Sequence, residues 1–537
     1  MESTAHKAAS RKGFLYFTEF ICGVSIMAVE LGASRLLSPY FSSSQIVWTI
    51  IIGTIMIAMA LGNIYGGRSA DKDPSPDKLY RRILIAGIWI ALIPVLGKYV
   101  ILAVSALVIL SVNSAYLIWA ALASCLVVFV FPLFLLGTTT PSLVKYSTMS
   151  LEESGRTVGN LEAFNTIGSI IGTFLPTFVT IPSVGTSITF LIFAALLIST
   201  AAYYFLSRKT DTKKTITAII ILLFSCIFGH SDSFAFWNKD LTYEGESIYN
   251  YLQVSEDDKA YYLSTNVLFG VQSMARKDGQ LTGMYYDYAM AAPFMADINN
   301  KDDLDLLILG NGSGTYASMC EQYLDNVHTD GVEIDKDITE LAAQYFGMPE
   351  DVNVSTYDGR AYLQAVDDTY DVIMVDAYQD ISVPFQMSSV EFFTQVKDHL
   401  NPDGVMVINM NMRGEGEGNI NEYLSDTIAS IFPYVYTVDV TDGTNRELFA
   451  SFNPDILSTM QYSIPLIKDE QLQNMMNTVS ASLVPYAGGS HILTDDKAPV
   501  EVLSMRALDG IIHQELDYYK TMIKGKSIRE LISLLTG

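Results

Sequence analysis

Apolar positions along this chain fall into two arrangements that change near residue 230. Before that point they run almost unbroken, in segments near the ~20 residues a helix needs to cross a bilayer. These are 14–37, 46–65, 83–100, 116–136, 161–181, 187–206 and 216–228. A shorter apolar stretch, 101–111, follows Lys98 and reads as an eighth span, a re-entrant piece or an interfacial helix. After Trp237 the apolar residues come in short blocks bounded by Gly, Asp and Asn, or at helical spacing. Blocks 304–309, 327–334, 352–355, 370–375 and 405–409 read as buried strands, with helices at 316–324 and 390–400 between them. Strands alternating with helices predict a parallel sheet covered on both faces. The expected organisation is a multi-pass helical membrane domain over 1–235, a β-rich lead segment over 236–300, and an α/β Rossmann-like domain over 301–537.

Composition sharpens this division. Half the residues are apolar and only 17% are charged, where soluble domains average about a quarter. The formal net charge of −25 repels phosphate backbones and excludes nucleic acid as a partner class. It favours a cationic small substrate and also keeps a soluble half dispersed. Cys22, Cys125, Cys226 and Cys320 lack ligand spacing and the six histidines are scattered, so no metal is expected. The basic N-terminus precedes an apolar run without a small-residue cleavage site, which reads as a first membrane helix.

Lys and Arg set the orientation. Lys7, Arg11 and Lys12 precede the first run. Arg68, Lys72, Lys78, Arg81 and Arg82 follow the second, Lys145 and Arg156 the fourth, and Arg208, Lys209, Lys213 and Lys214 the sixth. The alternation puts the N-terminus in the cytoplasm of a multi-pass cell-membrane protein. Seven crossings would then leave the C-terminal domain outside. A cytoplasmic domain needs either 101–111 as an extra span or a last run that stops short; the last run is the shortest and is taken as the weak one. Glu30 lies at membrane depth, paired with Arg35 or marking a site. Gly168, Ser169 and Gly172 suit close helix packing.

In the soluble half, the strand 304–309 runs into Gly310-Asn311-Gly312-Ser313-Gly314, then a helix, then a second strand ending at Glu333. Glycines let a backbone turn tightly and approach a ligand, and an acid about twenty residues on can accept hydrogen bonds from both hydroxyls of a ribose. The unit predicts a nucleoside ligand. Glu333, Asp358 (followed by Gly359) and Asp376 each lie just past a strand end, so they should face one crevice.

These residues resemble the spermidine synthase family of aminopropyltransferases over about 241–410, and the whole chain resembles its membrane-fused bacterial members. ELGASRLLSPYF, GNLEAFNTIGSIIGTFLPTFV and LTDDKAPVE are similar to stretches of that group. The resemblance implies S-adenosylmethionine or its decarboxylated form as the substrate held by the Gly loop. Glu333 would hold the ribose and Asp358 the adenine amino group, with Asn250 and Gln272 at the positions of nucleoside-contacting glutamines. Asp376 stands where the family has its catalytic Asp, and Tyr285-Tyr286-Asp287 where it has a Tyr-His-Glu-like segment. Two acids of the family are missing: the loop Asp is Ser313, and the acceptor-holding Asp is Gln379, with Asp380 one residue further on. Tyr378, Asp380 and Tyr286 would shape the acceptor pocket, and 378–389 could close over it.

The reaction so implied is aminopropyl transfer to a small amine with release of methylthioadenosine, catalysed by Asp376 with Tyr378 and Asp380. The lost acids leave room for a lyase reaction, in which the donor's own carboxylate gives methylthioadenosine and homoserine lactone and no partner beyond the donor is needed. Methyl transfer and a nucleotide-regulated transporter or sensor are further readings. Partners expected besides the amine are the lipid bilayer and a second copy of the chain, as a homo-oligomer.

Overall fold

A computed structural model of the chain describes residues 2–523 apart from 113, 149–153, 232, 239–240, 268–269, 378–382, 412–415 and 442. The seven apolar runs all lie on helices: α1 (Glu2–Phe41), α2 (Gln45–Lys72), α3 (Pro76–Ser111), α4 (Tyr116–Val128), α5 (Val130–Gly137), α6 (Thr139–Ser147), α7 (Ser154–Leu175), α8 (Ile181–Arg208) and α9 (Thr212–Phe228). Among the described residues, four helical stretches are long and apolar enough to cross a membrane: Lys12–Phe41, Gln45–Lys72, Pro76–Ile109 and Ser154–Arg208. The pair Tyr116–Val128 and Val130–Ser147, bent by 49°, makes a fifth if counted as one span. The stretch Ser154–Arg208 is broken by a π turn at Pro176–Thr180 and by Gly185, whose φ of 80° is not helical. Runs 161–181 and 187–206 fall on the two sides of that break.

Residues 101–111 form no separate element, contrary to one expectation. They continue α3 without interruption. Lys98, which broke the apolar run in the sequence, sits within α3 and donates from Nζ to the Ser233 carbonyl at 2.6 Å. Helices α1 and α7 touch backbone to backbone. A Cβ at Gly168 or Gly172 would collide with the main chain of Phe20 or Val24, and one at Gly23 would lie 2.5 Å from the Asn165 carbonyl. Glu19 of α1 is fully buried there, its Oε1 accepting from Thr140 Oγ1 at 2.5 Å and Asn165 Nδ2 at 2.6 Å. Glu30, the acid singled out from sequence, is only half-buried.

The two ends of the bundle differ. At one, the basic connections meet: Arg81 pairs with Asp211, Lys145 with Asp71 at 2.7 Å, and Lys78 with Asp73 at 2.8 Å. The sheet domain docks on the other. There Val267 N donates to the Pro39 carbonyl at 2.9 Å, and Arg35 donates to the carbonyls of Ser247 and Ile248. Gln45 N reaches Glu501 at 2.8 Å and Tyr116 N reaches Asp509 at 3.0 Å. Helix α9 starts beside Arg81, at Asp211, and ends at Gly229, where a Cβ would press on Val95 and Pro94 of α3. The last run therefore lies alongside the first half of α3, and α9 is not among the described helices long and apolar enough to cross a membrane alone.

Beyond the bundle, β1 (Leu241–Glu246), β2 (Tyr251–Glu256), β3 (Ala260–Ser264) and β4 (Ser273–Arg276) form an antiparallel sheet in sequence order. Two short helices follow, α10 (Tyr285–Ala289) and α11 (Ala291–Met295). The main sheet contains β5 (Leu304–Leu309), β6 (Val327–Glu333), β7 (Asn353–Thr356), β8 (Tyr370–Val375), β9 (Leu400–Met410), β10 (Tyr434–Asp439), β11 (Arg446–Ser451) and β12 (Val484–Pro485). Its order is β12-β10-β11-β9-β8-β5-β6-β7. Strands β5 to β9 are parallel, as the alternating pattern predicts; the antiparallel β9-β11-β10-β12 edge was not foreseen. Between the strands run α12 (Thr315–Tyr323), α13 (Lys336–Tyr345), α14 (Gly359–Ala365), α15 (Val390–Asp398) and α16 (Ile420–Ala429), and α17 (Ile456–Ser463), α18 (Glu470–Ser482) and α19 (Val500–Ile523) follow. Leu306, Ile308, Val372 and Met374 pack one face of the sheet and Leu307, Leu309, Ile373 and Val375 the other. Strand order reverses between β5 and β8. The carboxyl ends of that pair are where an open sheet of this kind leaves a crevice.

Candidate active site

The Gly loop leaves β5 at this reversal. Gly310, Gly312 and Gly314 all have positive φ, at 91°, 53° and 75°. Gly310 is excluded from carrying a side chain by proximity as well, since a Cβ would lie 2.6 Å from the Asp376 carbonyl. The loop's shape is locked by Glu333 at the end of β6. Gly312 N–H donates to Glu333 Oε2 at 2.9 Å and Asp335 N–H to Oε1 at 3.0 Å. Burial, with Asp335 close by, pushes the Glu333 carboxyl up to about 7 against the pull of those backbone bonds.

Asp335 ties the lead segment to this wall, accepting from Ser247 Oγ at 2.5 Å and Asn250 Nδ2 at 2.9 Å. Asn250 thus lies beside the Glu333 wall with its amide engaged. The Gln272 carbonyl accepts from Tyr286 Oη at 3.3 Å. Ser313 is buried and its hydroxyl bonds Thr315 Oγ1 at 2.8 Å, so it faces the fold rather than the crevice. Asp358 caps α14 through Ala361 N–H at 2.8 Å, with Gly359 as the first residue of that helix. Two residues into α14, Arg360 forms a two-pronged ion pair with Asp495, both contacts at 2.7 Å. That pins the LTDDKAPVE segment beside 383–389, a structural role. His491 bonds Asp426 on α16 through its backbone N–H at 2.8 Å, and Glu422 lies 3.6 Å from His491 Nδ1, which makes these three a metal-sized cluster.

Asp376 follows β8. Its Oδ2 accepts from Tyr285 Oη at 2.5 Å and its Oδ1 from Asn409 Nδ2 at 2.9 Å. Asn409 in turn accepts from Asn445 Nδ2 at 2.8 Å. Desolvation by the surrounding protein outweighs both bonds and raises the Asp376 carboxyl to about 7, with Glu333 adding to the rise. A carboxylate near neutrality, held in one rotamer by two donors, is equipped to take a proton. Tyr286, the tyrosine favoured from sequence, points instead to Ser273 Oγ at 3.2 Å; its neighbour Tyr285 does the positioning. Tyr378, Gln379 and Asp380 lie outside the described residues. Asn409 and Asn445 are candidate site residues that sequence reasoning missed, and Tyr285 was named there only as part of the Tyr285-Tyr286-Asp287 segment. A polar Asn ending an apolar strand was the available signal for Asn409.

Residues 284–443 match the spermine/spermidine synthase domain family. The chain is 49% identical over 347 residues to a probable polyamine aminopropyl transferase of Bifidobacterium longum, covering 61% of this chain and 77% of that one. It is 26% identical over 275 residues to a polyamine aminopropyltransferase of Vibrio vulnificus, covering 50% and 87%. The spermidine synthase of Thermotoga maritima overlays with 18% identity, 46% and 84% coverage and a TM-score of 0.38, an overlap that adds nothing to the assignment. The crevice is that of a nucleoside-binding group-transfer enzyme, and the chain belongs to the polyamine aminopropyltransferase family.

Proposed function

We propose that the crevice transfers an aminopropyl group from decarboxylated S-adenosylmethionine to an amine, releasing methylthioadenosine. The observation that supports it most is the pairing, at one reversal point of the sheet, of a Glu333-locked Gly loop with a doubly held Asp376. The adenosyl part lies along the Gly loop with its ribose on Glu333 and its adenine toward Asp358. The amine nitrogen attacks the carbon attached to the sulfonium. A C–N bond forms, the C–S bond breaks, and its electron pair neutralises the sulfur. The leaving group needs no acid; the amine needs a base, and Asp376 takes its proton. Holding both reactants in line supplies most of the remaining acceleration. The lyase and nucleotide-regulated transporter readings find no support in the relatives.

The test is incubation of purified, detergent-solubilised protein with S-adenosylmethionine or its decarboxylated form, each with and without putrescine. The transfer reading requires methylthioadenosine and spermidine that depend on both the decarboxylated donor and the amine. Methylthioadenosine with homoserine lactone, formed without amine, would sink it.

The bundle is proposed to be embedded in the cell membrane. Ile57, Leu61, Ile64, Ile170, Phe178 and Leu223 expose apolar side chains on its outside, a surface too greasy for water. Retention in the pellet after alkaline carbonate washing tests it. Basic loops face the cytoplasm, and they gather at the end opposite the sheet domain. This reading puts the sheet domain on the far face, the alternative to a cytoplasmic domain. Labelling of a single surface cysteine in the sheet domain of intact cells by a membrane-impermeant maleimide distinguishes the two faces.

A further inference from the structure

Glu19 of α1 is the only fully buried acid of the bundle among the described residues, and its two oxygens stand in different surroundings. Oε1 accepts from Thr140 of α6 and from Asn165 of α7, while Oε2 meets no partner. That is the pattern of a carbonyl and a hydroxyl. An ionised carboxylate spreads its charge over both oxygens and needs donors on each. Among the described residues no Lys, Arg or His pairs with it: Lys145 of α6 is turned to Asp71 and Arg208 of α8 to Asp77. The titratable groups facing it are Cys22, one turn along α1, Tyr80 of α3, which bonds Thr18 at 2.9 Å, and Glu162 of α7, whose charge is felt at Glu19. Glu162 is exposed and lies one turn before Asn165, nearer the basic end of the bundle. With the bundle embedded as proposed above, Glu19 lies about 10 Å in from Lys12 and Glu162 about 12 Å in from Ser154, roughly a third of the way across a bilayer core. A glutamine at position 19 would accept the same two bonds. What a glutamic acid adds at this depth is a proton that it can release.

We propose that the bundle carries a proton-binding site separate from the crevice: Glu19 holds an exchangeable proton on Oε2, and Glu162 passes it to and from the basic end. The ligand is a proton, which needs no cavity. On release the Oε2–H bond breaks, its electron pair stays on the Glu19 carboxylate, and Glu162 accepts the proton directly or across one water. Thr140 and Asn165 donate to Oε1 in both states, and their bonds strengthen on the ion. The site rests on the embedded bundle and not on the transfer reading.

The experiment is infrared spectroscopy of the full-length protein in detergent, wild type minus Glu19→Gln. The difference should show a protonated-carboxyl C=O stretch at neutral pH that moves to lower frequency in heavy water. Glu162→Gln should keep that band and slow its exchange by about 10²-fold, the low end for a positioned proton carrier. Should the Glu19 variant fail to fold, the wild type decides alone. Dicyclohexylcarbodiimide, which adds to protonated carboxyl groups in apolar surroundings, should then modify Glu19, seen by mass spectrometry as an adduct on its peptide. A difference without the band, a band that does not exchange, or, in the second measurement, an unmodified Glu19 overturns the proposal. Loss of the band in sodium chloride but not in choline chloride also overturns it, since the ligand would then be a sodium ion. Exchange at the wild-type rate in Glu162→Gln overturns the route through Glu162. None of these results bears on embedding, which the carbonate wash decides.

Discussion

The helical bundle and the sheet domain differ in where their buried acids sit. In the bundle, hydroxyls turn back on their own helix: Thr200 donates to the Leu196 carbonyl at 2.8 Å, Ser142 to that of Thr138 at 2.6 Å, and Thr189 to that of Gly185 at 2.8 Å. Its buried acid, Glu19, is held by Thr140 and Asn165 from two other helices. In the sheet domain the acids gather at the carboxyl end of the strands, and two of them, Glu333 and Asp376, are raised to about 7 by burial. The bundle turns many hydroxyls back on its own helices, yet among the described residues Ser25, Ser105, Ser124 and Ser225 keep buried hydroxyls without a partner. The sheet domain leaves charge uncompensated at the place where a cationic ligand would compensate it.

Removing the carboxylate of Asp376 should sharpen the comparison most. Asp376→Asn keeps the shape but not the base, and turnover should drop about 10²- to 10⁴-fold, the usual worth of a general base. Donor binding, followed by calorimetry, should persist; equal loss of binding would recast Asp376 as a ligand contact. Glu333→Gln is expected next. An amide there presents N–H groups to the Gly312 or Asp335 N–H, so the loop loses its lock, and the donor KM should rise roughly 10- to 100-fold. A larger effect on the amine KM than on the donor KM would contradict the placement of the ribose.

A smaller effect comes from pH. Asp376 must be ionised to accept a proton and its value is raised to about 7. Log(kcat/KM) should therefore climb with a slope near one below neutrality and level off above about 7, a limb measurable in the free enzyme. A limb near 4 would mean that burial does not govern this carboxyl. In the bundle, Gly172→Val forces a side chain into the Val24 main chain. Stability should fall by about 1–3 kcal/mol, seen as a lower thermal midpoint in detergent, while the rate per folded molecule stays near that of the wild type. A rate loss without destabilisation would mean that the bundle takes part in turnover.

What was legible in the chain follows from how local each signal is. Gly310 to Glu333 sits in one strand-loop-helix-strand unit, and Asp376 ends the next central strand, so the parallel-sheet rule alone brings them together. Asn409 and Asn445 are joined only by the antiparallel register of β9 and β11, which a reading by strand ends does not supply. Tyr285 and Tyr286 are adjacent, and no periodicity within a five-residue helix says which one turns toward Asp376. Glu19 has its partners 121 and 146 residues away, so its own helix shows only an acid among apolar residues. The run 101–111 looked separate because Lys98 interrupts it, yet a lysine stem can lie along a helix without ending it.

The grip of α1 on the lead segment bears on how this protein can be cut. Arg35 supplies hydrogen bonds to the carbonyls of Ser247 and Ile248, and Pro39 accepts from Val267. The turn that Arg35 holds is the same one that presents Ser247 and Asn250 to Asp335, beside the Glu333 wall. A chain begun at residue 236 would therefore lack more than its anchor. It would lose the brace behind its own nucleoside pocket and uncover Tyr251, which packs among bundle residues. A nick in the connection after α9 would leave these contacts in place, so the severed halves should co-purify as one particle.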